Sequence, residues 1–317
     1  MREPSLLARM AESLFWIGRY VERADDTSRI IDSYLHRMLE DPTENEDVAC
    51  RTLLAIMGVP TDRVDKVTTP DVLELLAYDA ASSSSIIGSL SRARENAQGS
   101  RDVISTEMWE CLNTTWFELP ARRAQVSRTG PHAFLRSVRD RSSLFAGLTD
   151  ATMNRSDAWR FVTLGRGIER IDMMTRLLAV RIASGVLAPD WGTLLRAAGA
   201  EEAFRQVYPG QESTELIAGF LMLDPYFPRS ALFALTSVEG DLAALSDNAI
   251  RLGSRGDAQR IIGQARTTLE YSNPDELIHR LSEILELITT ACADATEAIT
   301  LRYFDKATWV QWESEAE

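Results

Sequence analysis

Ile17-Gly18-Arg19-Tyr20-Val21-Glu22-Arg23-Ala24-Asp25-Asp26-Thr27-Ser28-Arg29-Ile30-Ile31 recurs 147 residues further on as Leu164-Gly165-Arg166-Gly167-Ile168-Glu169-Arg170-Ile171-Asp172-Met173-Met174-Thr175-Arg176-Leu177-Leu178. Gly, Arg, Glu, Arg, Asp and Arg coincide, Thr175 stands for Ser28, and aliphatic residues face aliphatic ones. A second, weaker match at an offset of 145 sets Asp79 and Ser85-Ile86-Ile87-Gly88-Ser89-Leu90 beside Asp224 and Ser230-Ala231-Leu232-Phe233-Ala234-Leu235. These matches predict two tandem copies of one helical unit, about 1–148 and 149–317, packed as two bundles with pseudo-two-fold symmetry.

Outside these segments apolar residues also recur at helical spacing, and alternating strand patterns are scarce, so the fold class is all-α. Long helices are expected near 5–40, 82–118, 130–148, 154–186, 228–252 and 274–304, and shorter ones near 46–57, 70–78, 190–199, 212–222 and 257–271. Pro70-Asp71, Pro189-Asp190 and Asn273-Pro274-Asp275-Glu276 carry the caps, first-turn prolines and acidic first turns of helix starts. Pro60, Pro120, Gly130-Pro131, Pro209-Gly210 and the stretch from Pro225 to Pro228 read as breaks. Ser82 to Ser85 reads as a helix entry.

The chain has 317 residues and a formal net charge of −13, which argues against holding a nucleic-acid backbone through the overall field. No stretch approaches 18 uncharged apolar residues, so no membrane span is expected. Charges interrupt the first apolar run too soon for a secretory signal. Cys50, Cys111 and Cys292 are far apart and form no CxxC, which fits a reduced cytoplasm better than a disulfide framework. His36, His132 and His279 lie in neither HExxH nor a serine motif, so a His-based triad or His-rich metal site is disfavoured.

The chemistry therefore rests on the repeated charged stripe. In a helix Gly18, Glu22, Asp25 and Arg29 share one narrow face beside an apolar face, and Gly165, Glu169, Asp172 and Arg176 repeat the arrangement. Arg19, Arg23, Arg166 and Arg170 fall on a flank. On one reading Asp25–Arg29 and Asp172–Arg176 are i,i+4 ion pairs and the glutamates latch neighbouring helices. On another the stripes meet in a polar pocket, where Glu22 and Glu169 act as bases and arginines hold a carboxylate or phosphate. On a third the acids bind a metal, for which Mg²⁺ suits carboxylates, although Asp rather than His stands three residues after each glutamate. A mid-helix glycine costs about 1 kcal/mol against alanine, so Gly18 and Gly165 imply close approach of another backbone or a ligand. A second charged set, Arg94, Glu95, Asn96, Arg101 and Asp102, occupies the expected helix at 82–118. Trp309 and Trp312 are expected to pack near the acidic end or to dock another protein.

Taken in order, Phe15-Trp16-Ile17-Gly18-Arg19-Tyr20-Val21-Glu22-Arg23, Ala93-Arg94-Glu95-Asn96, Arg101-Asp102, Ser105-x-Glu107-x-Trp109-x-x-Leu112-Asn113, Leu164-Gly165-Arg166-Gly167-Ile168-Glu169-Arg170 and Asp224-Pro225-Tyr226-Phe227-Pro228-Arg229-Ser230 resemble the bacterial alpha-E domain family over nearly the whole chain. The pattern departs after Asn96, where Ala97-Gln98-Gly99-Ser100 replaces a more usual Ala-Arg pair. The resemblance implies an all-helical fold and a genetic association with a circularly permuted ATP-grasp protein, often with a transglutaminase-like protease. It implies a role in making or modifying peptide-like amide bonds, with ATP and Mg²⁺ handled by the ligase. It also implies functional positions at Glu22, Arg19, Arg23, Glu169, Arg166, Arg170, Arg94, Glu95, Asn96, Arg101, Asp102 and Arg229. Three expectations follow: a substrate-binding companion of the ligase, a structural adaptor, and a carboxylate-ligated metal-dependent enzyme.

Overall fold

The computed structural model describes residue 6 and residues 8–41, 45–61, 65–184, 190–245 and 256–304, and all regular elements among them are helices. In chain order these are α1 (Ala8–Glu40), α2 (Glu46–Ile56), α3 (Thr69–Leu73) continuing as a π-turn (Glu74–Tyr78), α4 (Ile86–Gln98), α5 (Thr106–Thr129), α6 (His132–Thr152) and α7 (Asp157–Ala183). Then follow α8 (Trp191–Ala197), α9 (Glu201–Val207), α10 (Thr214–Leu223), α11 (Ala231–Leu245), α12 (Asp257–Glu270) and α13 (Pro274–Ile299), which ends in a π-turn (Thr300–Phe304).

The two segments carrying the repeated sequence are the central helices, α1 and α7, and they pack along each other. On α1 the apolar positions Leu14, Ile17, Val21, Ala24, Ile31 and Leu35 are all buried; on α7 so are Phe161, Leu164, Ile168, Ile171 and Leu178. Helix α1 also packs on α4 and α6, and α5 lies against both. Helix α7 packs on α11 and α13, and α12 lies against both. Burial of these stripes is the main stabilising contribution, because no helix of this kind hides its apolar face alone.

Starts follow the sequence signals. Asp190 accepts from Thr193 N at 2.9 Å at the head of α8, and Thr68 and Asp71 form a capping box on α3. Ser85 accepts from Gly88 N at 3.0 Å, so the serine run is a helix entry. Three features differ from expectation. The helix expected over 82–118 stops at Gln98, and Ser105 caps a new one by accepting from Met108 N at 3.2 Å. Its apolar period continues across the gap, which hides the break. Pro120 does not end α5. Leu119, buried beside it, anchors the turn that proline weakens, and at the surface Arg122 and Arg123 pair with Glu118 and Glu74 at 2.8 and 2.9 Å. Helix α9 was not expected, since Phe204 is its one buried side chain and a single anchor leaves no period to read. Residues 246–252, Pro189, Trp309 and Trp312 lie outside the described residues. Cys50, Cys111 and Cys292 are free and buried, and no described helix is long and apolar enough to cross a membrane.

Candidate functional site

Gly18 and Gly165 lie where α1 and α7 come closest. A Cβ on Gly18 would stand inside contact with the Val162 carbonyl oxygen and 2.9 Å from Arg166 N. A Cβ on Gly165 would meet the Phe15 carbonyl oxygen in the same way and lie 3.2 Å from Arg19 N. One turn beyond the crossing, α7 delivers Glu169 to two arginines of α1, and α1 delivers Glu22 to one arginine of α7 and one of a loop.

Glu169 Oε2 accepts from Arg19 Nε at 2.6 Å and from Arg23 Nη2 at 3.0 Å, and Oε1 accepts from Arg23 Nε at 2.5 Å. Glu22 Oε1 accepts from Arg170 Nε at 2.6 Å and Oε2 from Arg170 Nη2 at 3.2 Å. Arg229, from the loop before α11, lies 3.1 Å from Glu22 Oε1 and also binds Asp25 and Asp26. The flanking arginines thus turn inward across the helix pair, which the wheel of a single helix does not reveal. The correspondence is incomplete at Arg166, whose Nη2 lies 3.9 Å from Asp150 while Arg229 takes the second place on Glu22.

The arms that meet these arginines are built alike. Arg23 Nη1 donates to the Ser83 carbonyl at 3.2 Å, and Arg170 Nη1 donates to the Pro228 carbonyl at 3.4 Å. Ser85 donates to the Asp79 carbonyl and caps α4, and Ser230 donates to the Asp224 carbonyl and accepts from Phe233 N at 3.1 Å. Asp224 Oδ1 accepts from Tyr226 N and Phe227 N at 2.9 and 2.7 Å, and this turn aims Arg229 at the acids. The i,i+4 pairs are present, with Arg29 Nε 3.0 Å from Asp25 and Arg176 Nε 3.1 Å from Asp172; Arg19 reaches Asp172 at 3.8 Å.

Glu22 and Glu169 are 4% and 1% exposed. Burial alone raises a carboxyl pKa, but Arg170 and Arg229 outweigh it and bring Glu22 down to about 2. Glu169 is likewise lowered, burial being outweighed by Arg19 and Arg23. Asp26 moves up to about 7, driven by burial and by Glu22 and Asp25 against the pull of Arg229. A general base at neutral pH needs a pKa near 7 and a free lone pair aimed at substrate. Both glutamates are instead locked as anions. The adjoining cavity, lined by Asp26, Arg170, Met173, Met174 and Arg229 among others, is about 20 Å³, room for a single water and not a peptide. Glu22, Asp25 and Asp26 sit close enough together to suit a cation, but the Arg229 guanidinium fills that place.

A pH dependence follows. In the unfolded chain Glu22 titrates near 4.5 and in the folded protein near 2, so its contribution is complete above about 4.5 and is lost as pH falls toward 2. That contribution is about 3 kcal/mol. Asp26 has the opposite sign, its contribution being complete below about 3.8 and lost as pH rises through about 7. Urea midpoints measured from pH 2 to 6 are therefore expected to show a steeper acid loss in wild type than in Glu22→Gln; parallel curves would contradict the assignment.

The second charged set lies apart. Arg94 Nε donates to Asn113 Oδ1 at 2.8 Å, and its guanidinium stands over Trp116 and Trp109 at 4.5 and 5.5 Å. Arg101 stands over Trp109 at 5.2 Å, and Asn96 Nδ2 donates to the Arg92 carbonyl at 2.9 Å. Glu95 is exposed. Asp102 lines an open groove of about 470 Å³ with Ser105, Thr152, Ser156 and Asp157. Among the described residues none of these groups binds the glutamate network. Sequence reasoning missed Asp26 as a partner of Arg229, although its place beside Asp25 was a signal. It also missed the gathering of His36 and His132 around Asp32, which are too far apart in the chain to form a motif.

Two uncharacterized proteins, from Mycobacterium tuberculosis and Mycobacterium bovis, are each 25% identical to this chain over 329 residues. The alignments cover 92% of this chain but 36% of those relatives, so the chain spans about a third of their length. No solved structure matches. The family model described as Alpha-E, "a predicted alpha-helical domain with a conserved ER motif", matches residues 6–304. The Glu-Arg dipeptides of this chain are Glu22-Arg23 and Glu169-Arg170, the residues that α1 and α7 exchange across their crossing. With that match running through both, the chain belongs to the Alpha-E family.

Proposed function

We propose that the chain is a helical adaptor that works with a circularly permuted ATP-grasp ligase in forming or modifying peptide-like amide bonds, and that its Glu/Arg core is a structural clamp. The observation that carries the adaptor reading is the occupancy of all four carboxylate oxygens of Glu22 and Glu169 by guanidinium groups. Such carboxylates hold helices, and these two, 4% and 1% exposed and held as anions by arginines, are poorly placed to meet an incoming amine. The family resemblance supports the partnership, and relatives nearly three times as long as the aligned region, in which this unit is joined to more chain, are consistent with a unit that works beside another. The unit itself is read as two copies of one four-helix arrangement related by a pseudo-two-fold axis. The reciprocal glycine contacts and exchanged Glu-Arg pairs support that reading.

A second reading assigns an anionic or peptide-like substrate to the α4–α5 face. Arg94 and Arg101 have no carboxylate partner among the described residues, and the Trp109 and Trp116 rings fix their planes, an arrangement suited to a carboxylate.

The test compares ATP-dependent amide synthesis by the ligase alone, with the wild-type chain, with Glu22→Gln and with Arg94→Ala. The adaptor reading expects wild type to stimulate synthesis and Glu22→Gln to match it once corrected for folded fraction. Equal product with and without the chain would remove the partnership, and a fully folded but inactive Glu22→Gln would restore a chemical role to the acid. A raised KM with Arg94→Ala would favour the second reading.

A further inference from the structure

Two of the three histidines in the chain meet at one end of the α1–α6 contact. His36 lies near the end of α1 and His132 opens α6, and their ring centres are 4.5 Å apart at an interplanar angle of 68°. Asp32, 7% exposed, orients both. His132 Nδ1 lies 2.6 Å from Asp32 Oδ1, and His36 Nδ1 lies 3.0 Å from the Asp32 carbonyl oxygen. Arg139 holds Asp32 Oδ2 at 2.8 Å, so this carboxylate carries a matched charge.

An oxygen facing Nδ1 requires the ring proton there, which makes Nε2 the lone-pair atom of each neutral imidazole. A carboxylate or backbone carbonyl behind the ring is the usual support of a metal-binding histidine. Neither Nε2 has a partner among the described residues. The side chains of His36 and His132 are 52% and 35% exposed, so an ion reaches them from solvent.

The spacing fits as well. With nitrogen about 2.0–2.1 Å from the ion, each ring centre lies about 3.2 Å from it, and two rings bound at about a right angle stand about 4.5 Å apart. The observed ring separation is compatible with that arrangement.

We propose that His36 and His132 form a binding site for one divalent transition-metal ion that prefers imidazole and right-angled ligand pairs, of which Ni²⁺ and Cu²⁺ are the type. Asp32 is the positioning residue, and water completes the shell. Hard ions such as Mg²⁺ do not compete, because two imidazoles are poor ligands for them. This site is independent of the glutamate clamp and of the ligase partnership.

The test is equilibrium dialysis of the full chain, first stripped with chelator, against NiCl₂ alone. The expected result is about one Ni²⁺ per chain, with affinity lowered about tenfold or more in His36→Ala and in His132→Ala. His279→Ala and excess Mg²⁺ are expected to leave it unchanged. Unchanged circular dichroism certifies the alanine variants, and His36→Gln and His132→Gln replace any that unfold. No Ni²⁺ bound by wild type, equal binding by the His36 and His132 variants, or equal loss with His279→Ala would each overturn the site.

Discussion

Gly18→Ala is expected to destabilise the protein by at least about 3 kcal/mol, well above the usual penalty of a methyl group on a helix. The new Cβ would be driven into the Val162 carbonyl oxygen and stand 2.9 Å from Arg166 N and 3.0 Å from the Val162 carbonyl carbon. These are backbone atoms and have no rotamer to change, so relief requires α1 and α7 to separate. Separation in turn lengthens the Glu22–Arg170 and Arg23–Glu169 hydrogen bonds and opens the core beside Leu14, Ile17 and Leu164. Gly165→Ala meets Phe15 and Arg19 in the same way and is expected to cost as much. The control is Gly147→Ala in α6, where a Cβ meets nothing within 4 Å and helix propensity predicts a gain of about 1 kcal/mol. Urea unfolding of the three variants checks this. A Gly18→Ala midpoint equal to that of Gly147→Ala would mean the helices do not cross in contact at this point.

The repeat alone makes the central helix pair legible in the sequence. Glycine at matching places in two apolar-striped helices signals close backbone approach, and Gly18 and Gly165 supply it to each other. The apolar faces of α1 and α7 follow from their 3.6-residue period, because burial depends on position along one helix. The arginine directions were less legible. Arg19, Arg23 and Arg170 stand on a flank of their own helix, and a long side chain covers that distance only when a partner carboxylate waits across the interface. Arg229 was legible as a motif residue but not as the common partner of Glu22, Asp25 and Asp26, since no local pattern links residues some two hundred positions apart. The histidine pair was unreadable for the same reason. In α4 and α5 the unbroken apolar period concealed the turn from Gly99 to Ser105, where local capping by Ser105 overrode the period.

Glu169→Ala is expected to cost about 3–5 kcal/mol, because the buried Arg19 and the largely buried Arg23 would lose the carboxylate that, among the described residues, holds them most closely. Arg19 would keep only Asp172 at 3.8 Å, and Arg23 the Ser83 carbonyl at 3.2 Å. Glu22→Ala is expected to cost less, because Arg229 keeps Asp25 and Asp26 and only Arg170 loses its acid. That order, Glu169 above Glu22, discriminates between models: two equivalent catalytic acids would give equal, small stability effects and large losses of rate. The decisive variant is the triple replacement Arg19→Met, Arg23→Leu and Glu169→Leu. Removing both signs of charge together restores a packed apolar contact, so the triple variant is expected to recover most of what Glu169→Ala loses, measured by urea unfolding. If it also stimulates amide synthesis by the ligase, the glutamate of α7 contributes geometry alone; a stable but non-stimulating triple variant would place recognition in the charges themselves.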